Sequence, residues 1–337
     1  MKFVRFLLFP FAIIYDIVTT LRNLFFDWGV LKQTSFKTPV IVVGNLSVGG
    51  TGKTPQIEYL IRLLKDDFKT GVLSRGYKRE TQGFVLLNDT HTAQEVGDEP
   101  LQYFKKFKKI SVAVDANRVA GISRLITAVS PEVFLLDDAY QHRKVRGSLS
   151  LLLTKYDDLF TDDYLLPTGN LRESSRGVKR TDLIIVTKCP SNITASSKNT
   201  IREKLKRFDK TIFFTTISYH QQTSGSQRIS IEDLKKYEVL LVTGIANPSS
   251  LLSFMDENKV NFSHCKFSDH HHFTDKDIQV INEQFAQLKS NKKLILTTEK
   301  DYVRLENNIK ELSFLGIETT FLSEQEKFNS IIRKQLR

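Results

Sequence analysis

Apolar residues in this chain recur mainly in short uninterrupted runs, separated by longer stretches that alternate apolar and polar positions at helical spacing. Runs at 40–43, 70–75, 83–88, 110–114, 132–136, 148–154, 183–188 and 212–217 have the length and β-branched content of strands buried on both faces. The stretches 54–65, 100–108 and 116–129 between them read as helices. This alternation predicts an α/β fold, a mainly parallel sheet with helices on both faces, whose ligands gather at the carboxyl ends of the strands. A polar, aperiodic stretch at 220–228 reads as a linker. A second alternating unit follows it, with strands at 238–243, 261–267 and 293–297 and helices at 248–257 and 275–289. The expected division is an N-terminal segment 1–30, a core domain 31–224 and a smaller α/β domain 225–337.

The N-terminus is the most apolar part of the chain, yet its longest charge-free run, 6–15, is interrupted by Pro10. Crossing a bilayer takes about 20 apolar residues. Phe and Leu mixed with Trp28, Arg5 and Arg22 are the materials of a helix lying in the membrane interface. A buried core helix and a true span are the alternatives. No small-x-small cleavage site follows the apolar run, which disfavours a signal peptide. Ahead of Pro39, five basic residues (Lys2, Arg5, Arg22, Lys32, Lys37) face two acids (Asp16, Asp27). Each basic residue near an anionic surface contributes about 1 kcal/mol.

The whole chain of 337 residues carries a formal charge of +11, which points to anionic partners: nucleotides, phospholipid surfaces, phosphorylated sugars or nucleic acid. Two cysteines, Cys189 and Cys265, without paired spacing exclude a disulfide framework and a four-cysteine metal site.

The strand at 40–43 runs into G-N-L-S-V-G-G-T-G-K-T, and a helix follows. That is the context of a phosphate loop, although Ser47 stands where the common pattern has its first glycine. Backbone N–H groups of Ser47, Val48, Gly49, Gly50, Thr51 and Gly52 would face the phosphates of a nucleotide such as ATP. Lys53 would reach the β- and γ-phosphates and the Thr54 hydroxyl would ligate Mg²⁺. The fold expected is therefore P-loop NTPase-like. The apolar run 133–136 ends in Asp137 and Asp138, the carboxylates such a protein needs opposite Thr54. Gln141 and His142 follow within reach of the same pocket, Gln141 on its metal side.

Other clusters are weaker. G-D-E-P, with Asp98 and Glu99, sits before a helix and reads first as a cap. L-P-T-G-N-L-R-E, with Asn170, Arg172 and Glu173, is dense in side chains that bind hydroxyls and phosphates, and Arg75 and Tyr77 close an earlier strand in similar style. Arg118 could neutralise a transferring phosphoryl group or pair with an acid on its own helix. F-S-D-H-H-H-F holds Asp269 and three of the seven histidines; zinc is disfavoured because no partner cluster has ligand spacing.

Taken in order, G-N-L-S-V-G-G-T-G-K-T-P, L-S-R-G-Y, V-G-D-E-P, L-L-D-D-A-Y-Q-H, L-P-T-G-N-L-R-E, V-T-G-I-A-N-P, F-S-D-H-H-H-F-T and T-T-E-K-D resemble the tetraacyldisaccharide 4'-kinase family of lipid A biosynthesis. The resemblance implies transfer of phosphate from ATP, with Mg²⁺, to the 4'-hydroxyl of a tetraacylated glucosamine disaccharide 1-phosphate. It places the work at the cytoplasmic face of the inner membrane of Gram-negative bacteria. It makes Asp98 the catalytic base, puts Glu99 near the metal and gives Asp98 a partner in His270. Arg75, Tyr77, His142, Asn170, Arg172, Glu173 and Asp269 are expected on the substrate side. Asp98 and His270 fall in different domains, so they are expected to meet when the domains close over ATP and substrate. No nucleic acid or obligatory protein partner is expected. A membrane-associated P-loop switch acting on a protein partner is the alternative; it would have no need of Asp98 and His270 acting together.

Overall fold

The computed structural model describes residues 5–336. Helix α1 (Phe9–Asp27) precedes strand β1 (Val40–Asn45) and helix α2 (Lys53–Leu64). Next come β2 (Thr70–Ser74), β3 (Val85–Leu86), the single-turn α3 (Ala93–Val96), α4 (Asp98–Lys106), β4 (Ile110–Val114), α5 (Arg118–Val129) and β5 (Val133–Asp137). β6 (Leu149–Lys155), β7 (Leu183–Thr187), α6 (Ala195–Leu205) and β8 (Thr211–Tyr219) complete the first unit in sequence. The second contains β9 (Ser224–Gly225), α7 (Ile231–Leu234), β10 (Glu238–Thr243), α8 (Ser249–Glu257), β11 (Asn261–Lys266), α9 (Asp275–Ala286), β12 (Lys293–Thr298), α10 (Glu299–Leu305) and β13 (Leu312–Leu315). β14 (Ile317–Phe321) and α11 (Gln325–Lys334) end the chain.

The larger sheet has nine strands in the order β14-β8-β7-β6-β1-β5-β2-β4-β3, parallel except at its two edges. β1 lies at its centre, with Val43 opposite Asp137 of β5 and Leu151 of β6. Alternate residues leave on opposite faces, and both faces are covered, so the strands read as unbroken apolar runs. Ile41 and Val43 join Ile57, Leu60 and Ile61 of α2, while Val40 and Val42 join Ile122 and Leu125 of α5. The smaller sheet, β11-β10-β12-β13-β9, is built in the same way between α8 and α9.

Two expectations are corrected. The run at 83–88 supplies only the two-residue β3, paired antiparallel to β4. The span 225–337 is not one unit: the smaller sheet ends with β13, and β14 crosses back to pair antiparallel with β8 at the edge of the larger sheet. Helix α11 follows it there, burying Phe328 and Ile332 against the core that contains Ile57 and Phe213. Burial drives the return, since an edge strand and an amphipathic helix cover surface that the larger sheet would otherwise expose. Phe328 also meets the rings of Tyr59, Phe213 and Phe321. Phe328→Ala is therefore expected to lower stability by about 3–5 kcal/mol, read by urea denaturation of the full chain. A loss under 1 kcal/mol would mean that the return carries little weight.

Helix α1 lies along the larger unit. Tyr15, Arg22, Asn23, Phe26 and Asp27 fall on one stripe, as 3.6-residue periodicity dictates. Tyr15 donates to the Arg172 carbonyl (2.9 Å), Asn23 to Glu173 Oε2 (3.0 Å) and Arg22 to the Gln141 carbonyl (3.0 Å), while Asp27 pairs with Arg143 (2.5 Å). Ile13, Ile14, Ile17, Val18, Leu21, Phe25 and Trp28 occupy the outer face, exposed. Residues 1–4 of the expected N-terminal segment lie outside the described residues.

Candidate active site

The loop between β1 and α2 turns through Gly49 (φ +102°) and Gly52 (φ +82°), both in the left-handed region that glycine enters without strain. Its tip, Val48 to Gly50, is exposed, whereas its flanks are fastened. Val48 N–H donates to the Asn170 carbonyl (2.8 Å), Arg172 N–H to the Leu46 carbonyl (2.7 Å), and the Thr187 hydroxyl to the Thr51 carbonyl (2.8 Å). The loop 165–173 thus braces the phosphate loop. It is braced in turn from outside by Arg5, which donates to the carbonyls of Pro167 (3.0 Å) and Gly169 and to Asn170 Oδ1 (3.1 Å). The Thr51 hydroxyl is buried without a partner among the described residues. At the start of α2, Lys53 Nζ donates to Asn45 Oδ1 (3.3 Å) and sits 3.5 Å from Asp138 Oδ1. Helix N-termini with free N–H groups and a nearby ammonium are favourable places for phosphate.

The paired acids diverge. Asp137 ends β5 inside the sheet, whereas Asp138 takes a positive φ (+47°), which turns its side chain elsewhere. Asp138 pairs with Lys53 and with Arg172 Nη1 (3.2 Å). Burial alone would raise its pKa, but these two cations outweigh burial and hold it below the usual carboxylate range. Among the described residues the Asp137 side chain has only long hydrogen bonds, from the Ser74 hydroxyl (3.5 Å) and the Tyr103 hydroxyl (3.3 Å). Burial, then repulsion from Glu99 and Asp138, pushes its pKa up to about 7.

Asp98 opens α4, and its Oδ2 lies 2.9 Å from Nδ1 of His270. Arg304 Nε is 3.2 Å from Asp98 Oδ1. Lys300 Nζ is 3.0 Å from His270 Nε2 and 3.4 Å from Glu99 Oε1. Burial would raise the Asp98 pKa, but the His270 hydrogen bond, Arg304 and Lys300 together bring it below its ordinary value. Asp98 and His270, expected in different domains, meet in this arrangement. The reason is a line of ion pairs between α4 and α10: Arg304 with Asp98, Lys106 with Glu299 (2.7 Å) and Lys105 with Glu306.

The remaining positions have distinct surroundings. Glu173 is buried and accepts from Arg180 (2.8 Å), Gln141 (3.0 Å) and Asn23 (3.0 Å), so it holds Gln141 in place. Gln141 Nε2 also donates to the Asn45 carbonyl (2.9 Å), and its Oε1 is buried with no partner among the described residues. Arg118 is buried at the start of α5, where Nη1 donates to the Asp115 carbonyl (2.6 Å) and Nε has no partner among the described residues. Burial lowers its pKa to about 10, against the attraction of Asp137, so it stays charged. Burial, then the charges of Arg118, Arg75, Arg22 and Lys144, lowers His142 to about 4 and keeps it neutral at physiological pH. The Tyr77 ring stands edge-on to His270, 5.5 Å between centroids. Asp269 is exposed and makes no hydrogen bond among the described residues.

The comparisons with known proteins match this arrangement from end to end. A family model described as tetraacyldisaccharide-1-P 4'-kinase covers residues 4–337. The chain belongs to this family. A tetraacyldisaccharide 4'-kinase of Flavobacterium johnsoniae is 48% identical, over 100% of this chain and 98% of that protein. One of Bacteroides thetaiotaomicron is 44% identical, over 96% and 91%. The crystal structure of the "apo" form of LpxK from Aquifex aeolicus in complex with ATP superposes with a TM-score of 0.81 at 29% identity, covering 99% of this chain and all of that one. The likeness therefore includes both sheets and the N-terminal helix.

Sequence reasoning missed Asn45, Tyr103, Lys300 and Arg304 as parts of this site. Asn45 and Lys300 lie inside quoted motifs, G-N-L and T-T-E-K-D, but nothing local gave them a partner. Tyr103 and Arg304 carry no local signal beyond helical spacing.

Proposed function

We propose that this chain transfers the γ-phosphate of ATP to the 4'-hydroxyl of a tetraacyldisaccharide 1-phosphate, with Asp98 as the base that receives the hydroxyl proton. The observation that carries this reading is the Asp98–His270 contact at the start of α4, in a chain of this family. An ionised carboxylate is too weak a base to remove an alcohol proton beforehand. The proton passes to Asp98 as the bond from oxygen to the γ-phosphorus forms, and the bond to the β-phosphate oxygen breaks with its electron pair leaving on ADP. Lys53 and the N–H groups of Gly49, Gly50 and Gly52 would hold the phosphates, whereas those of Val48 and Thr51 are donated to the Asn170 and Gly49 carbonyls. Arg118 would face the charge that develops on the transferring group.

Mg²⁺ fits the residues present. Asp137 is a buried carboxylate with no ion-pair partner within 4 Å among the described residues, its hydrogen-bond donors are the Ser74 and Tyr103 hydroxyls, and Thr54 lies in the first turn of the neighbouring helix. Among the described residues no three His, Cys, Asp or Glu side chains form a cage, but Mg²⁺ commonly takes one or two carboxylates and completes its shell with water and phosphate oxygens. Asp137, Thr54 and Glu99 would hold it, with Asp138 given instead to Lys53 and Arg172. Held there, Mg²⁺ would offset the negative charge of the nucleotide phosphates.

The substrate is an acylated lipid, so the enzyme must reach a bilayer. We assign this to the outer face of α1 and the basic N-terminal segment, lying in the interface at the cytoplasmic leaflet, where ATP is available. The helix is long and apolar enough to cross a membrane, but its inner stripe is hydrogen-bonded along the larger unit, which favours lying on the surface. Ile13→Asp with Ile17→Asp should abolish sedimentation with anionic vesicles while changing the melting temperature by less than about 2 °C. Retained vesicle binding would reject this assignment. The function is tested by transfer of labelled γ-phosphate from ATP to detergent-dispersed tetraacyldisaccharide 1-phosphate. Labelled lipid supports it, and ATP hydrolysis without labelled lipid would favour the switch alternative.

A further inference from the structure

We propose that Lys300 is a positioning residue that fixes the tautomer of His270, keeping the ring proton on Nδ1 and directed at Asp98. The inference rests on the reading of Asp98 and His270 as the acceptor-side pair. A lysine ammonium has three donors and no acceptor, whereas a neutral imidazole has one of each. Lys300 Nζ stands 3.0 Å from His270 Nε2, so that nitrogen must offer its lone pair. The proton is then on Nδ1, 2.9 Å from Asp98 Oδ2, and Nδ1–H donates to the carboxylate. The opposite tautomer would set N–H against the ammonium and a lone pair against the carboxylate, turning both contacts repulsive.

Both partners are held from behind. The Thr298 hydroxyl caps α10 by accepting from Asp301 N–H (3.1 Å), which sets the backbone of Lys300 one residue earlier. Asp301 Oδ2 accepts from Gly244 N–H (2.9 Å), and the Gly244 carbonyl accepts from His270 N–H (3.1 Å). Gly244 and Asp301 thus tie the backbone of His270, itself at positive φ (+55°), to the helix that carries Lys300. A side chain held through rigid elements in this way keeps the geometry that catalysis needs. Lys300 also reaches Glu99 across the two units, so its position depends on both. Asp98 keeps lone pairs beyond those used by His270 and Arg304, and one of these can take the substrate proton.

The test uses the full chain with ¹⁵N-labelled histidine, His270→Gln identifying the His270 signals. Wild type is expected to show a protonated Nδ1 and a bare Nε2, and Lys300→Met to move that signature towards the other tautomer. Lys300→Met should lower kcat for lipid phosphorylation by about 10–100-fold, with the KM for ATP within about twofold of wild type. Lys300→Arg, also a pure donor, should restore the signature and most of the activity; this variant keeps the proposal testable if Lys300→Met folds poorly. An unchanged tautomer in Lys300→Met overturns the proposal. So does a loss that added magnesium repairs, since Lys300 would then act through Glu99. If Asp98→Asn is inactive while Lys300→Met is fully active, this inference alone fails. If Asp98→Asn keeps full activity, the acceptor-side reading fails and takes this inference with it.

Discussion

Asp98→Asn is expected to lower phosphate transfer to the lipid by about 10²–10⁴-fold, the range that a positioned general base contributes. The affinity for ATP should stay near the wild-type value. The substitution keeps the shape of the side chain and its contact with His270, but the amide has no basic oxygen to receive the hydroxyl proton. The rest of the nucleotide site is untouched, because Asp98 faces His270 and Arg304 rather than the phosphate loop. Its carboxylate lies below the usual range, since the His270 hydrogen bond and the charges of Arg304 and Lys300 outweigh burial. It is therefore ionised and ready throughout the physiological range. Single-turnover transfer measured beside equilibrium ATP binding decides the matter. Loss of binding together with transfer would mean that Asp98 belongs to the nucleotide side.

Asp137→Asn should separate activity from stability. Transfer is expected to fall by at least about 10²-fold, because an amide replaces the buried carboxylate that we assign to Mg²⁺. Stability in magnesium-free buffer should move the other way. Folded Asp137 has its pKa pushed up to about 7 by burial and by Glu99 and Asp138, whereas an unfolded aspartate releases its proton near pH 4. Between these values the folded state binds more protons than the unfolded one, so wild type loses stability as pH rises through that window. Below about pH 4 the penalty is absent; above about pH 7 it is complete. The Asn variant carries no such penalty and should be the more stable by on the order of 1–3 kcal/mol at pH 8, with little difference at pH 4. Magnesium with ATP should raise the melting temperature of wild type more than that of the variant. A variant that melts below wild type at pH 8 without magnesium would show that Asp137 is structural. Function and stability pull apart in this way wherever a site must hold a charge its surroundings disfavour.

How far the site could be read from the chain depended on sequence separation. Glycines, Lys53 and Thr54 are contiguous, and a strand leading into a helix leaves them one place to go. The same holds for Asp137 and Asp138 at a strand end, but which acid we assign to the metal turned on the positive φ of Asp138 and its pairing with Lys53 and Arg172. The contact between Asp98 and His270 spans 172 positions, and its chemistry came from a resemblance between motifs rather than from any local pattern. Lys300 lay inside such a motif, which gave it no partner, and Arg304 lay outside them all. Each looks like an ordinary exposed helix cation until α10 docks on α4.

The C-terminus shows the same boundary. The pattern of α11 announces an amphipathic helix, but nothing in it says which core receives Phe328. Periodicity reports the face a segment will bury, and glycines and caps report where it turns, because both are properties of the local backbone. The sequence by itself therefore determined the α/β class, the phosphate loop, the acidic strand end and the apolar N-terminal segment. Tertiary structure alone decided that β14 and α11 return to the first sheet, that α1 braces the loop holding the phosphate loop, and that Asp98, His270, Lys300 and Glu99 form one group. Those choices depend on how two sheets and their helices pack against each other, and packing energies arise between residues hundreds of positions apart.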